Sequence, residues 1–208
     1  ATLKANGMSD GAHISLTLTR GEKITSGMDP RLNQSGCTLI VLAEWKAPVY
    51  QNAVTLITSS IRRNGPANID SKIHHNNLIN NILAKIEANN AGADDALMLD
   101  NNGFVAETNA CNIFMIKNGM VFTPNADACL PGITRKTVIT LCQQNNIPIH
   151  LKNISLTEMY NADQVFTTGT MGELTAVKMI DGRAIINRSG TDLLQHINDL
   201  FRNLTLAL

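Results

Sequence analysis

The sequence carries no surplus of charge: Lys plus Arg number 17 and Asp plus Glu number 17, for a formal net charge of zero. A nucleic-acid or anionic-membrane partner favours a basic face, so this balance argues against both. Long apolar runs are also missing, and none approaches the roughly 20 residues that a membrane-spanning helix needs. The opening stretch, Ala1 to Asp10, lacks a charged segment followed by an apolar one and does not read as a secretory signal. The four cysteines (Cys37, Cys111, Cys129 and Cys142) form no CxxC pair and have no ligand-like His beside them. Reduced thiols, with no bound metal, are the simplest reading. No internal repeat or low-complexity segment is found. These absences leave a soluble cytoplasmic α/β protein as the expectation.

What is present fits that outline. A chain of 208 residues accommodates one large domain, or one domain plus part of another, and can bury a substantial core. Ala12 to Thr19 alternates apolar and polar residues and reads as a strand closed by Arg20-Gly21. Cys37 to Leu42 and Val54 to Ser60 are further β-rich runs, with a linker over Glu44 to Pro48 and a turn at Asn64-Gly65-Pro66. After Ser71-Lys72 the period changes. Leu78, Ile79, Ile82, Leu83 and Ile86 recur at helical spacing, and the preceding asparagines are able caps. Ala96 to Leu99, Phe104 to Glu107 and Asn112 to Ile116 read as strands, with tight turns at Asp100-Gly103 and Lys117-Gly119. Helices follow from Thr134 and from about Thr191. Strand pairs interleaved with helices, without regular βαβ alternation, give a mixed α/β (α+β) class. The first third is helix-poor and β-rich from its start. It reads as a partial small N-terminal domain and linker (1–46) before a large domain (47–208).

Four segments can carry chemistry. Leu130-Pro131-Gly132-Ile133-Thr134-Arg135 puts a glycine and a hydroxyl residue at a helix start, where free N–H groups and the dipole favour an anion. An ordinary Thr-capped helix would look the same. Thr167-Thr168-Gly169-Thr170-Met171-Gly172-Glu173 is a second turn whose hydroxyls and amides suit phosphate oxygens, although Thr and Gly are common in any turn. Glu107 lies among apolar residues, and burying its carboxylate requires a positive partner such as a protonated pyridine. An edge-strand Glu facing water is the plain alternative. Lys72 could form a Schiff base if its amine were buried or near other cations, yet most lysines are solvated.

Taken in order, these segments are far more specific than any one alone. Lys72, Asn81-Ile82-Leu83-Ala84-Lys85-Ile86-Glu87-Ala88, Gly92 to Asp100, Glu107-Thr108-Asn109, Asn112-Ile113-Phe114, Leu130 to Arg135, Ala162 to Phe166, Gly169-Thr170, Glu173-Leu174-Thr175 and Ile180-Asp181-Gly182 together resemble the fold-type IV, or class IV, enzymes of pyridoxal 5'-phosphate. That family includes the branched-chain aminotransferases, the D-amino-acid aminotransferases and the aminodeoxychorismate lyases, and the resemblance covers nearly all of residues 54–190.

The resemblance implies a cofactor in the large domain, with Glu107 on the pyridine nitrogen. Gly132, Ile133 and Thr134 would bind the phosphate, joined by Gly169 and Thr170 of the second turn, with Asn112 beside them. Lys72 would be the catalytic Schiff-base residue, and Met171 and Gly172 would contact the substrate carboxylate. The implied reaction moves an amino group between an amino acid, branched-chain and of the L series, and 2-oxoglutarate, in a homodimer. A lyase or D-amino-acid aminotransferase on the same scaffold, or a truncated non-catalytic relative, are the other readings.

The sequence departs from the family pattern in three places. Counted back without gaps from Ala84-Lys85-Ile86-Glu87-Ala88, the D-amino-acid-aminotransferase spacing puts His74 in the lysine position. The branched-chain spacing, lysine followed by xGGN, matches Lys72-Ile73-His74-His75-Asn76 with one extra residue before the helix. Lys72 is preferred, because residues i and i+2 of a strand share a face. Asn77 stands near where branched-chain enzymes place a tyrosine. The family's phosphate-binding arginine belongs to a segment expected before Ala1.

Overall fold

In the computed structural model, which describes residues 1–47 and 52–206, the chain divides into two units, Ala1–Val49 and Tyr50–Leu208. The first unit holds a short helix α1 (Thr2–Ala5) and the antiparallel pair β1 (Ala12–Thr19) and β2 (Thr38–Trp45). The alternation seen in the sequence sets β1, but β2 runs three residues beyond the expected Leu42. Glu44 and Trp45, expected in a linker, pair with His13 and Ala12 instead. Pro48, the other end of that linker, lies outside the described residues.

The second unit is built on one mixed sheet. Its elements in chain order are β3 (Val54–Thr58), α2 (Ile79–Asn90), β4 (Asp95–Leu99), β5 (Val105–Thr108), β6 (Asn112–Lys117), β7 (Met120–Thr123), α3 (Ile133–Gln144), β8 (Ile149–Leu151), α4 (Leu156–Tyr160), β9 (Gln164–Gly169), β10 (Glu173–Ile180), β11 (Arg183–Ala184) and α5 (Leu193–Leu206). The strands order as β5-β4-β3-β10-β9-β6-β7-β8, with β11 on β10. Among the described residues, only β3–β4, β3–β10 and β7–β8 pair in parallel. The rest of the sheet is antiparallel, the α+β arrangement expected from interleaved hairpins and helices.

Period-two alternation divides each central strand between two cores. On β6, Ile113 and Met115 join Val54, Leu56, Leu97 and Val165 on one side. Phe114 and Ile116 join Val138, Leu141, Ile197 and Phe201 of α3 and α5 on the other. Phe114 stacks on Phe166 of β9 with centroids 4.9 Å apart. Burying both faces explains why β4 and β6 read as continuous apolar runs rather than alternating ones.

Helix α2 differs from expectation. Its leucines and isoleucines at 79, 82, 83 and 86 are exposed, and the residues buried against the sheet are Ala84 and Ala88, packed on Ala96 and Met98 of β4. The narrow alanine seam lets the helix approach the strand closely, and the large side chains take the outer face. Its N-cap is Leu78 with no side-chain cap bond, so the asparagines ahead of it do not cap. Helix α4, missed in the sequence, is opened by a capping box in which Ser155 Oγ accepts from the Glu158 N–H and Glu158 accepts from the Ser155 N–H. No helix among the described residues is long and apolar enough to cross a membrane.

Candidate active site

Glu107 lies on β5, paired with Met98 of β4, and is only 5% exposed. A carboxylate buried this far must be matched by donors. The described residues supply an ion pair and two hydrogen bonds. Arg63 Nη2 lies 2.5 Å from Oε1, the Leu130 N–H donates to Oε1 at 3.2 Å, and Asn112 Nδ2 donates to Oε2 at 2.9 Å. Burial outweighs them and pushes the carboxyl up from its ordinary 4.5 to about 7, with the Arg63 guanidinium pulling the other way.

Arg63 is the cation that a buried Glu107 requires, where the sequence pointed only to a ligand nitrogen. The residue follows the end of β3, where its N–H donates to Leu99 O of β4. It is itself buried, at 8% exposure, and its Nη1 donates to Asn81 Oδ1 at 2.8 Å. Asn81 passes the contact on through Nδ2 to Asn109 O, and Asn109 Oδ1 accepts from the Ala96 N–H. Helix α2, the end of β3 and the β5–β6 turn are thereby tied to one carboxylate. Arg63 Nε and His75 Nδ1 are buried and lack a hydrogen-bond partner among the described residues.

Asn112 links the carboxylate to the helix start. Its Nδ2 also donates to Leu130 O at 2.8 Å, and its Oδ1 passes so close to Gly132 that a Cβ there would meet it at 2.3 Å. Gly132 has φ −63°, so the glycine serves space rather than backbone conformation. It is the N-cap of α3, with Ile133 and Thr134 in the first turn. No side-chain cap bond forms, so Thr134 is not the cap considered in the sequence, and Ile133 is largely exposed. In the β6–β9 register Asn112 pairs with Thr168, which brings Gly169, Thr170, Met171 and Gly172 to the same sheet end as the α3 start. Gly169 fits beneath Cys111, whose Sγ would lie 3.0 Å from an added Cβ. Thr170 is exposed, and Met171 and Gly172 are partly buried. Thr168 Oγ1 is buried without a partner among the described residues.

A cavity of about 210 Å³ opens over Glu107 and is lined by Arg63, Ser71, His74, His75, Asn81 and Leu130 among others. Its size suits one small ring better than a drug-sized ligand. Lys72 does not line it. The segment before α2 is a turn, not a strand: the Ile73 N–H donates to Asp70 O and the Lys72 N–H to Asp70 Oδ1, and Lys72 is exposed. Lys72 and His74 therefore share no strand face, and the ungapped count reaches His74, a residue lining the cavity. Neither nearby thiol substitutes as a nucleophile. Burial raises Cys129 to about 12 and Cys111 to about 11.

Judged against the group implied by the resemblance, the site is matched in part. Glu107 can hold a ring nitrogen, and the α3 start and the Thr168–Gly172 turn carry donors suited to a phosphate, although neither Gly132–Thr134 nor Thr168–Gly172 lines the cavity. Among the described residues that line the cavity, none is a lysine.

Comparison with known proteins agrees with this architecture. The profile of the amino-transferase class IV family matches residues 1–180, and the chain belongs to that family. It is 58% identical over 206 residues to branched-chain-amino-acid aminotransferase-like protein 2 of Arabidopsis thaliana, covering 98% of this chain but 37% of the relative. A putative branched-chain-amino-acid aminotransferase of Methanocaldococcus jannaschii is 35% identical, with 98% and 70% covered. Among solved structures, the branched-chain aminotransferase of Thermoproteus uzoniensis with norvaline superposes with a TM-score of 0.91 at 30% identity, covering 99% of this chain and 68% of that one. The T.th. branched-chain amino acid aminotransferase complexed with N-(5'-phosphopyridoxyl)-L-glutamate gives 0.84 at 30% identity, with 97% and 66% covered. The fold is that of fold-type IV enzymes, and the chain spans little more than a third of the length of its Arabidopsis relative.

Proposed function

We propose that the second unit binds pyridoxal 5'-phosphate over Glu107, and that the whole protein transfers an amino group between a branched-chain L-amino acid and 2-oxoglutarate. The observation that carries the reading is the buried, hydrogen-bonded Glu107 joined through Asn112 and Gly132 to the N-terminus of α3. A phosphorylated pyridine has a nitrogen for such a carboxylate and a phosphate for such a helix start. The family membership and the phosphopyridoxyl ligand of the T.th. relative support it. When bound, the cofactor supplies an electron sink, and the protein supplies orientation and charge. Glu107 keeps the ring nitrogen protonated, Gly132, Ile133 and Thr134 with Gly169 and Thr170 bind the phosphate, and Met171 and Gly172 meet the substrate carboxylate. The protein works in the cytoplasm as a homodimer, as the resemblance implies.

A panel of amino donors with 2-oxoglutarate, read by glutamate formation in the full-length protein, tests the reaction. Glutamate from leucine, isoleucine and valine is the expected outcome. Turnover of D-amino acids, or pyruvate release from aminodeoxychorismate, would move the assignment within the family. A second reading, a cofactor-binding protein without amino transfer, is favoured by the exposure of Lys72. Saturable cofactor uptake with no product from any donor would establish it.

A further inference from the structure

Of the five consecutive residues Ser71 to His75, four line the cavity: Ser71, Ile73, His74 and His75. The fifth, Lys72, is exposed and absent from the lining, in a turn where its N–H donates to Asp70 Oδ1 and that of Ile73 to Asp70 O. A covalent C=N link to an aldehyde needs a primary amine, which condenses with loss of water; an imidazole cannot form it. The other lysines of the second unit are placed elsewhere. Lys85 bonds Asp94 O and Asp95, Lys117 bonds Asp163 and Lys152 bonds Glu158, while Lys136 and Lys178 are exposed on α3 and β10. The same cavity is rich in non-covalent contacts. Glu107 offers a charged acceptor, and Arg63 Nε and His75 Nδ1 are buried guanidinium and ring nitrogens without partners among the described residues. Desolvated polar atoms of this kind gain most from a ligand that supplies the missing bond.

We propose that this chain keeps pyridoxal phosphate by charge and hydrogen bonding alone, because His74 occupies the wall position where a covalent link would require a lysine. The proposal rests on the reading that the cavity takes the cofactor and adds how it is kept. Without a covalent contribution, the aldehyde form lacks the added affinity that a bond to a lysine would give it over the amine form, pyridoxamine phosphate.

The test uses the full-length protein with one equivalent of pyridoxal phosphate. Uptake of each form is measured by equilibrium dialysis. A parallel sample is treated with borohydride, denatured and mapped by peptide mass, with excess pyridoxamine phosphate as competitor. The expected result is saturable uptake of both forms, with dissociation constants within about fivefold of each other, and no competable adduct on any lysine. His74→Lys should then acquire one competable adduct, at position 74. A competable adduct on Lys72 in the unaltered protein overturns the proposal and leaves the cofactor reading standing. Uptake by His74→Lys without an adduct overturns the placement of position 74. Failure of the unaltered protein to take up either form removes both readings together.

Discussion

The two ends of the cavity are held in different ways. At one end Glu107 projects from β5, a buried strand at the end of the sheet, and a guanidinium, a backbone N–H and an amide fix both of its oxygens. At the other end residues 71–75 form an irregular turn, mostly exposed, with Ser71 Oγ donating to Asn64 O as its principal anchor. A side chain on a strand has its direction set by the pleat, so its face can be read from periodicity. In a turn, neighbouring side chains diverge by local dihedral choices. A shift of two residues then decides which group meets a ligand. The charge-bearing end of this site is thus specified by the sheet, and the end that decides covalent chemistry is specified by a loop.

The largest effect should come from removing the cation of the rigid end. Arg63→Ala leaves a buried carboxylate without its ion-pair partner and should cost about 3–5 kcal/mol, measured by urea unfolding. A loss below about 1 kcal/mol would show that the end is less rigid than described.

The second prediction concerns pH. Glu107 is raised to about 7 from 4.5, so between those values the folded protein holds a proton that the unfolded chain has released. Stability therefore falls as pH rises through that window and is flat above it. Glu107→Gln lacks this titration, so the stability of the unaltered protein relative to the variant should drop by on the order of 3 kcal/mol between the two pKa values. A difference independent of pH would contradict the burial argument.

A smaller effect is expected at the joint between carboxylate and helix. Gly132→Ala drives a methyl into Asn112 Oδ1 and should cost about 1–3 kcal/mol through overpacking and the displaced amide, with weaker cofactor uptake in the same variant. The smallest belongs to the flexible end. Lys72→Ala should change stability by no more than about 0.5 kcal/mol and leave cofactor uptake unchanged. A marked loss of uptake would bring Lys72 back into the site.

The same contrast marks how much is legible in the sequence. The strand β1 follows from its alternation, β4 and β6 from their apolar runs, and the starts of α3 and α5 are legible too, each to within a residue or two. Helix α4 escapes notice although Ser155 and Glu158 carry its capping signature, because only one large apolar residue, Met159, is buried within it. The inward face of α2 is misleading because its seam is alanine, whose small side chain gives little periodic signal against Ile and Leu. In the site, the need of Glu107 for a cation is visible, and Arg63 is in the sequence to meet it. Nothing local marks which of Arg62 and Arg63 turns inward, since that depends on the pairing of Arg63 N–H with Leu99 O across the sheet. The preference for Lys72 assumes a strand where the chain makes a turn. The ungapped spacing that runs through to His74 assumes no element there at all.

The association of Glu107 with a ring nitrogen is tested most directly by nitrogen NMR of pyridoxal phosphate labelled at the pyridine nitrogen, bound to the unaltered protein and to Glu107→Gln under mildly alkaline conditions. A protonated nitrogen is expected in the first and a neutral one in the second. The same chemical shift in both, with cofactor bound in each, would contradict it.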